Sequence, residues 1–357
     1  MKNSDIARSR IINQQLHDTR FKTVSELIKW FGAIQAQEYA HAKWALGMRL
    51  NNINESIIEI AFNKGELLRT HILRPTWHFV HNDDIRWMIA LTAPRVKSVN
   101  AFMYRKMELT NNLLNKTTDI LAKELEGGKY LTRTALNKVL AKKNIIADGI
   151  RLSCIMMQAE LNSVICSGPR IGKQFTYALL DERVFSNSII SNEEALASLA
   201  KRYFLSRGPA SIKDFSTWSG LTISDSKKGL EMIKSHVTKE VIEGEEYYFD
   251  PVLSITERAK KMCLLPIYDE YIMGYKNRVA ILDIKNKYAP DTAFVFDNTI
   301  IYDGQIIGTW KRTIHKTSID LEYSFFQPQP KEYLKLVTHA IKQYERFHDL
   351  PVNVMNG

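Results

Sequence analysis

The chain has 357 residues, 45% hydrophobic and 25% charged, which is the composition of an ordinary soluble globular protein with room for two to four small domains. No run of ~18 apolar residues suggests a membrane span, and the opening MKNSDIARSR lacks the apolar stretch of a signal peptide. Cys154, Cys166 and Cys263 are scattered, which speaks against a disulfide framework, a zinc site or an iron–sulfur cluster. The expectation is a cytoplasmic protein with buried thiols. The net charge of +10 is uneven: residues 1–150 hold 23 Lys and Arg against 14 acids, the remainder 26 against 25. A basic N-terminal portion on a near-neutral remainder favours a polyanion, nucleic acid first, over a merely basic surface.

In chain order, helices are expected at 6–17, 23–34, 39–50 and 54–63. ELLRTHILRPTWHFV (66–80) gives two strand-like runs around Arg74-Pro75-Thr76, and Pro75 belongs at the turn or an edge because it cannot donate a ladder bond. Asn82 is a candidate cap for a helix at 83–93. The middle stretch predicts helices at 111–127, 131–144 (Thr132 as cap) and 151–162, then two short strands around Gly168–Lys173. The third stretch is clearest: a helix at 192–208 capped by Asn192, a break at Gly208-Pro209, a helix at 211–220 from Ser211 to Gly220, a helix at 222–236, and a hairpin around Glu243-Gly244. Helix, helix, helix, hairpin is winged-helix order. From about 254 the pattern changes to short alternating runs separated by Asp297-Asn298 and Asp303-Gly304, predicting a small antiparallel sheet or barrel, closed by an amphipathic helix at 330–348.

The segment WFGAIQAQEYAHAKWALGMRL (30–50) carries the candidate chemistry. Gln35 and Gln37 are neutral amides, poor as acids or bases but able to hold a water molecule. On a regular helix i and i+2 diverge, so convergence requires the helix to end or bend; Gly32 and the restart near Tyr39 suggest a helix-to-helix corner. An arbitrary QxQ is usually a pair of solvated helix-end side chains, but Tyr39, His41, Lys43 and Trp44 add aromatic and hydrogen-bonding groups nearby. The wing-like run adds Arg69, His71, Arg74, Trp77 and His78. Adjacent acids such as Asp269-Glu270 more often satisfy a backbone or cap a turn than catalyse. There is no GxxxxGK[ST] loop, nucleophile elbow or HExxH, which argues against NTPase, triad-hydrolase and metalloenzyme readings.

Taken together, IQAQ, the R-T-x-x-x-R-x-T-x-H run from Arg69 to His78 with Asp83-Asp84, GPASIKDFSTWSGL (208–221), LLPIYDEYIMGY (264–275) and GTWKR (308–312) resemble the AlkZ/YcaQ-like winged-helix DNA glycosylases over nearly the whole chain. Pro75 departs from the pattern, where a smaller residue such as Gly is expected. The resemblance implies an α+β fold: three tandem winged-helix units (1–108, 109–190, 191–253) and a C-terminal β-rich, barrel-like domain with a terminal helix (254–357). It places the catalytic motif on Gln35 and Gln37. It puts Tyr39, His41, Trp44, Trp77 and His78 on the lesion side, and Arg69, Arg74, Arg170, Lys173, Lys227, Lys228, Lys311 and Arg312 on DNA. The implied partner is double-stranded DNA, alkylated or crosslinked, met by a monomer with no cofactor and no metal. An N7-alkylated purine is cationic and leaves as a neutral base, so the reaction needs an aimed water more than a general acid. No lysine nucleophile stands out, which implies a monofunctional enzyme. The rivals are a winged-helix transcription regulator and an inactive DNA binder.

Overall fold

The computed structural model describes residues 2–185, 190–252, 261–282 and 297–355. It is a mixed α and β structure. Helix α1 spans Asn3–Asn13 and α2 spans Val24–Phe31. Thr23 starts α2 through a capping box: its hydroxyl accepts from Glu26 N at 3.2 Å, and the Glu26 carboxylate accepts from Thr23 N at 3.0 Å. Val24, Leu27, Ile28 and Phe31 are buried at helical spacing. Gly32 ends the helix at φ +75°, a conformation an L side chain resists. The chain then leaves the expected helix-to-helix corner: Ala33–Gln35 is a strand, β1. Fully buried Ala33 and Ile34 pair with the wing instead of continuing α2.

Helices α3 (Tyr39–Gly47) and α4 (Glu55–Lys64) follow, the latter capped by the Asn54 side chain. The wing-like hairpin is β2 (Leu67–His71) and β3 (Trp77–His81), with Pro75 in the turn. The sheet order is β1-β3-β2, with Gln35 and Thr70 both opposite His78. Helix α5 runs Ile85–Lys106, well past the stop expected before Pro94. Ala90 and Pro94 are exposed, so the carbonyl that loses its bond at the proline can turn to water. The residue at the N-cap of α5 is Asp84, not Asn82.

Next come α6 (Asn111–Leu125), β4 (Leu131–Thr132), α7 (Arg133–Lys142, capped by Thr132), α8 (Gly149–Leu161), β5 (Ile165–Ser167), β6 (Thr176–Leu179) and the short α9 (Leu180–Arg183), with sheet order β4-β6-β5. Then α10 (Asn192–Arg207), α11 (Ile212–Ser219) and α12 (Ile223–Met232) lead into the hairpin β7 (Thr238–Ile242) and β8 (Glu245–Phe249). The cap of α10 is Ser191, one residue before Asn192. Glu243 and Gly244 both take positive φ, the turn that matches hairpin twist.

The remaining elements are β9 (Met262–Leu265), α13 (Glu270–Met273), β10 (Asn298–Tyr302), β11 (Gln305–Ile314), β12 (Ile319–Phe325), α14 (Lys331–His348) and β13 (Val352–Met355). They build a five-stranded sheet in the order β13-β12-β11-β10-β9. The strand-like run at 291–296 lies outside the described residues. The sheet is mixed rather than antiparallel: β13 pairs parallel to β12, which α14 permits as a crossover between them. Among the described residues no ladder joins β9 to β13.

Two large apolar cores organise the described residues, beside a third, small cluster of Ile6, Ile242, Tyr247 and Ala280. One joins the inner face of β2 and β3 to α5 through α12. The other joins α1–α4 to the C-terminal sheet and α14, so the first and last parts of the chain share one interior.

Candidate active site

Extended backbone solves the problem that a helix posed. Residues i and i+2 of a strand share a face, and Ala36 N donates to Trp77 O at 2.7 Å, carrying the pairing one residue past β1. Both amides therefore meet the Arg74–Trp77 turn of the wing. Gln35 Oε1 accepts from Arg74 Nη2 at 2.9 Å, and Gln37 Oε1 accepts from Trp77 N at 3.4 Å. Gln35 is only 5% exposed, whereas Gln37 is half-buried.

Gln35 is held at its backbone as well. Its N–H donates to Glu270 Oε1 at 2.8 Å. The other oxygen of this fully buried carboxylate accepts from Arg207 Nε (3.0 Å) and Nη2 (2.7 Å) and from Trp218 Nε1 (2.9 Å). Arg207 also donates to Phe31 O at 2.9 Å and Ala33 O at 2.7 Å. The outer edge of β1 is thus satisfied by a buried ion pair rather than by another strand.

Arg74, expected to contact DNA, is already engaged within the protein. Its guanidinium turns in to Gln35, to the carbonyl of Trp218 and toward His78 Nε2 at 3.4 Å. His78 is fully buried; burial, and then the charge of Arg74, push its pKa well below the usual histidine value. Its Nδ1–H donates to Thr76 O at 2.9 Å, which leaves Nε2 as the acceptor facing Arg74. His78 therefore supports Arg74 from within. Gly220, at the C-terminus of α11, presses on the same turn: a Cβ there would lie 2.1 Å from Leu73 O.

Arg69 likewise turns inward, because the QAQ carbonyls need donors. Its Nε donates to Ala36 O at 2.8 Å and Nη2 to Gln37 O at 3.1 Å, with the guanidinium 4.2 Å from the centre of the Trp77 ring. Burial pushes its pKa down to about 10, so it stays charged at neutral pH. Trp77 is half-buried between Arg69 and His71, whose ring centre is 4.6 Å away.

The other residues expected on the lesion side have different surroundings. Tyr39 is buried against Phe62, Phe79 and Phe175, its hydroxyl donating to Glu59 at 3.0 Å. Trp44 is a core residue: its Nε1 donates to Leu264 O at 2.7 Å and its ring packs on Tyr344. Large aromatics at helical spacing go inside when an apolar layer covers them. His41 is half-buried, with its pKa pushed down to about 4 by burial and by Arg312, and its Nδ1 has no partner among the described residues. Lys43 is enclosed by the carboxylates of Glu55 and Glu59.

The cations expected on DNA divide by what they already touch. Arg170 pairs with Glu59 at 2.8 Å and lies over Tyr39 and Phe175; Lys228 pairs with Glu193 at 2.8 Å; Arg312 lies over Tyr344. Lys173, Lys227 and Lys311 are exposed.

Arg207 and Trp218 escaped the sequence reading. They lie in α10 and α11 among apolar neighbours, and nothing local ties them to a strand some 180 residues earlier. Asp269 and Glu270 follow the bland expectation for adjacent acids: Asp269 caps α13 through Tyr271 N at 2.8 Å and pairs with Arg49, and Glu270 binds the backbone of Gln35.

The whole architecture has a counterpart of known structure. The Streptomyces sahachiroi DNA glycosylase AlkZ superposes with a TM-score of 0.77 at 18% identity, covering 99% of this chain and all of that one, so the fold is shared although the sequences have diverged. The family model of AlkZ-like DNA glycosylases matches residues 28–347, and the chain belongs to that family. Membership supports a DNA glycosylase, a hydrolase of N-glycosyl bonds whose substrate is DNA. No curated protein sequence matches the chain. No helix among the described residues is long and apolar enough to cross a membrane.

Proposed function

We propose that this protein is a monofunctional glycosylase for N7-alkylated purines, acting in the cytoplasm as a monomer and able to unhook interstrand crosslinks. Gln35 and Gln37 position the attacking water. The observation that carries this reading is the amide pair itself: two neutral groups on one extended segment, one locked and one partly open, with Glu270 turned away into a buried ion pair. A cationic base is already a good leaving group, so neutral amides that only aim a water suit it and do not suit an uncharged lesion. Lys43, which follows the amides in α3, is enclosed by two carboxylates and is unsuited to form a Schiff base. We assign residues 1–108, 109–190 and 191–253 to three winged-helix units and residues 254–357 to a barrel-like domain. Lys173, Lys227 and Lys311 are the expected backbone contacts.

The test is incubation with a duplex carrying N7-methylguanine, with abasic sites revealed by alkaline cleavage. Gln37→Ala should lower release without weakening duplex binding. A protein that releases no base from methylated or crosslinked duplex but binds one intact sequence tightly would be a regulator instead.

A further inference from the structure

The two glutamines are not equivalent, and the difference lies in which amide atom each presents. A guanidinium carries donors and no acceptor. The group that faces Arg74 Nη2 at 2.9 Å must therefore be the Gln35 oxygen, which settles an amide orientation that geometry alone leaves open. Arg74 cannot easily yield. It is itself held by the Trp218 carbonyl, by neutral His78 and by the turn that Gly220 supports. Gln35 cannot swing away either, because Glu270 fixes its backbone N–H. Among the described residues its Nε2 makes no hydrogen bond, and it is the atom left to take a partner from outside. Gln37 differs on each count. Its oxygen meets only a neutral backbone N–H, at 3.4 Å, and its side chain is half-buried. A second lone pair remains for a water.

Resting on the glycosylase reading, we propose that Arg74 is a positioning residue that turns Gln35 into a hydrogen-bond donor toward an oxygen of the bound water–DNA assembly, while Gln37 supplies the acceptor. The attacking water is then gripped from one side by a carbonyl, and the assembly is anchored on the other by an amide N–H. Two interchangeable acceptors would leave the water free to rotate.

Gln35→Glu separates the two descriptions, because it keeps the shape and the oxygen facing Arg74 but replaces the donor with a second acceptor. Release of N7-methylguanine by Gln35→Glu should fall by ~100-fold or more in kcat, the usual effect of removing one aimed donor, with duplex affinity unchanged. Activity within about threefold of the parent would overturn the proposal. Arg74→Met should lower kcat by ~10-fold at unchanged KM, and Arg74→Lys should recover part of that loss, which a merely structural role would not produce. A second measurement stands apart from catalysis. In the free protein, NMR should place the Gln35 side-chain NH2 protons away from the Arg74 guanidinium protons, and these NH2 signals should shift when a duplex with a tetrahydrofuran abasic analogue is added. NH2 protons in close contact with the guanidinium would overturn the proposal whether or not the protein releases any base. Absence of base release from the parent protein would instead refute the glycosylase reading and leave the NMR result to decide the orientation.

Discussion

Replacing Glu270 by Gln should unfasten the strand that carries the amide pair. The carboxylate receives four donors: Gln35 N on one oxygen, and Arg207 Nε, Arg207 Nη2 and Trp218 Nε1 on the other. A glutamine has one oxygen to offer. That oxygen will turn to the three-donor side, so its NH2 faces the Gln35 N–H and leaves that donor orphaned, a loss of roughly 1–3 kcal/mol. Arg207, fully buried, also loses its counter-charge, and breaking one partner of a buried pair costs about 3–5 kcal/mol in all. We therefore expect Glu270→Gln to destabilise the protein by about 3–5 kcal/mol, the orphaned donor being part of that total. Urea unfolding followed by tryptophan fluorescence would measure it, since Trp218 bonds directly to the altered group. Base release, assayed at a temperature where the variant stays folded, should also fall, because β1 loses the contact that fixes Gln35. A destabilisation below about 1 kcal/mol would refute the view that this ion pair holds the edge of the strand.

Gly220→Ala should destabilise by at least about 1 kcal/mol from its left-handed backbone alone, and its Cβ must also displace the Leu73 carbonyl, so base release should drop as the Arg74 turn shifts; thermal melting and the abasic-site assay would show both. Stability should decline as pH falls from neutral. His41, with its folded pKa near 4, gains protons more readily when unfolded below about 6.5. For Glu55, burial works to raise the pKa, but hydrogen bonds from His348 and Lys43 outweigh it and hold the value near 2, so its contribution is present above its ordinary 4.5 and is lost between there and about 2. Urea midpoints at pH 7, 5 and 4 should fall in that order, and His41→Gln should flatten the upper part of the decline. Lys173→Ala, Lys227→Ala and Lys311→Ala should each reduce the slope of log affinity against log salt by about 0.9 on undamaged duplex, whereas Arg170→Ala should change it little because Arg170 already serves Glu59.

Much of the architecture was legible because its signals are local. Thr132 and Ser211 cap the helices that begin beside them, Gly220 ends α11, and Glu243-Gly244 and Asp303-Gly304 turn the hairpins. The order of helices and hairpins follows from such marks. What failed was non-local. β1 is three residues long and looks like the end of a helix until β3, more than 40 residues later, pairs with it. The direction of Arg69 depended on the carbonyls of Ala36 and Gln37 just past that strand, that of Arg74 on the Gln35 side chain and the distant Trp218 carbonyl, and the burial of Trp44 on α14 covering it from far along the chain. The parallel partner of β12 required a crossover that spacing does not announce. Gln35 and Gln37 were chosen for their chemistry, and the physical reason for their convergence proved to be pleat rather than a bent helix.

The shared interior of α1–α4 and the C-terminal sheet has a consequence for how the molecule comes into being. Gln35 is made 235 residues before its backbone partner Glu270, and the helix that seals Trp44 follows later still. Loop closure over such separations is slow, and a nascent chain exposes unfinished apolar surface while it waits. Strand β1 can be held only once the segment carrying Glu270 has been made, so a product truncated before that residue would carry the whole Gln-x-Gln segment and still lack the carboxylate that holds it.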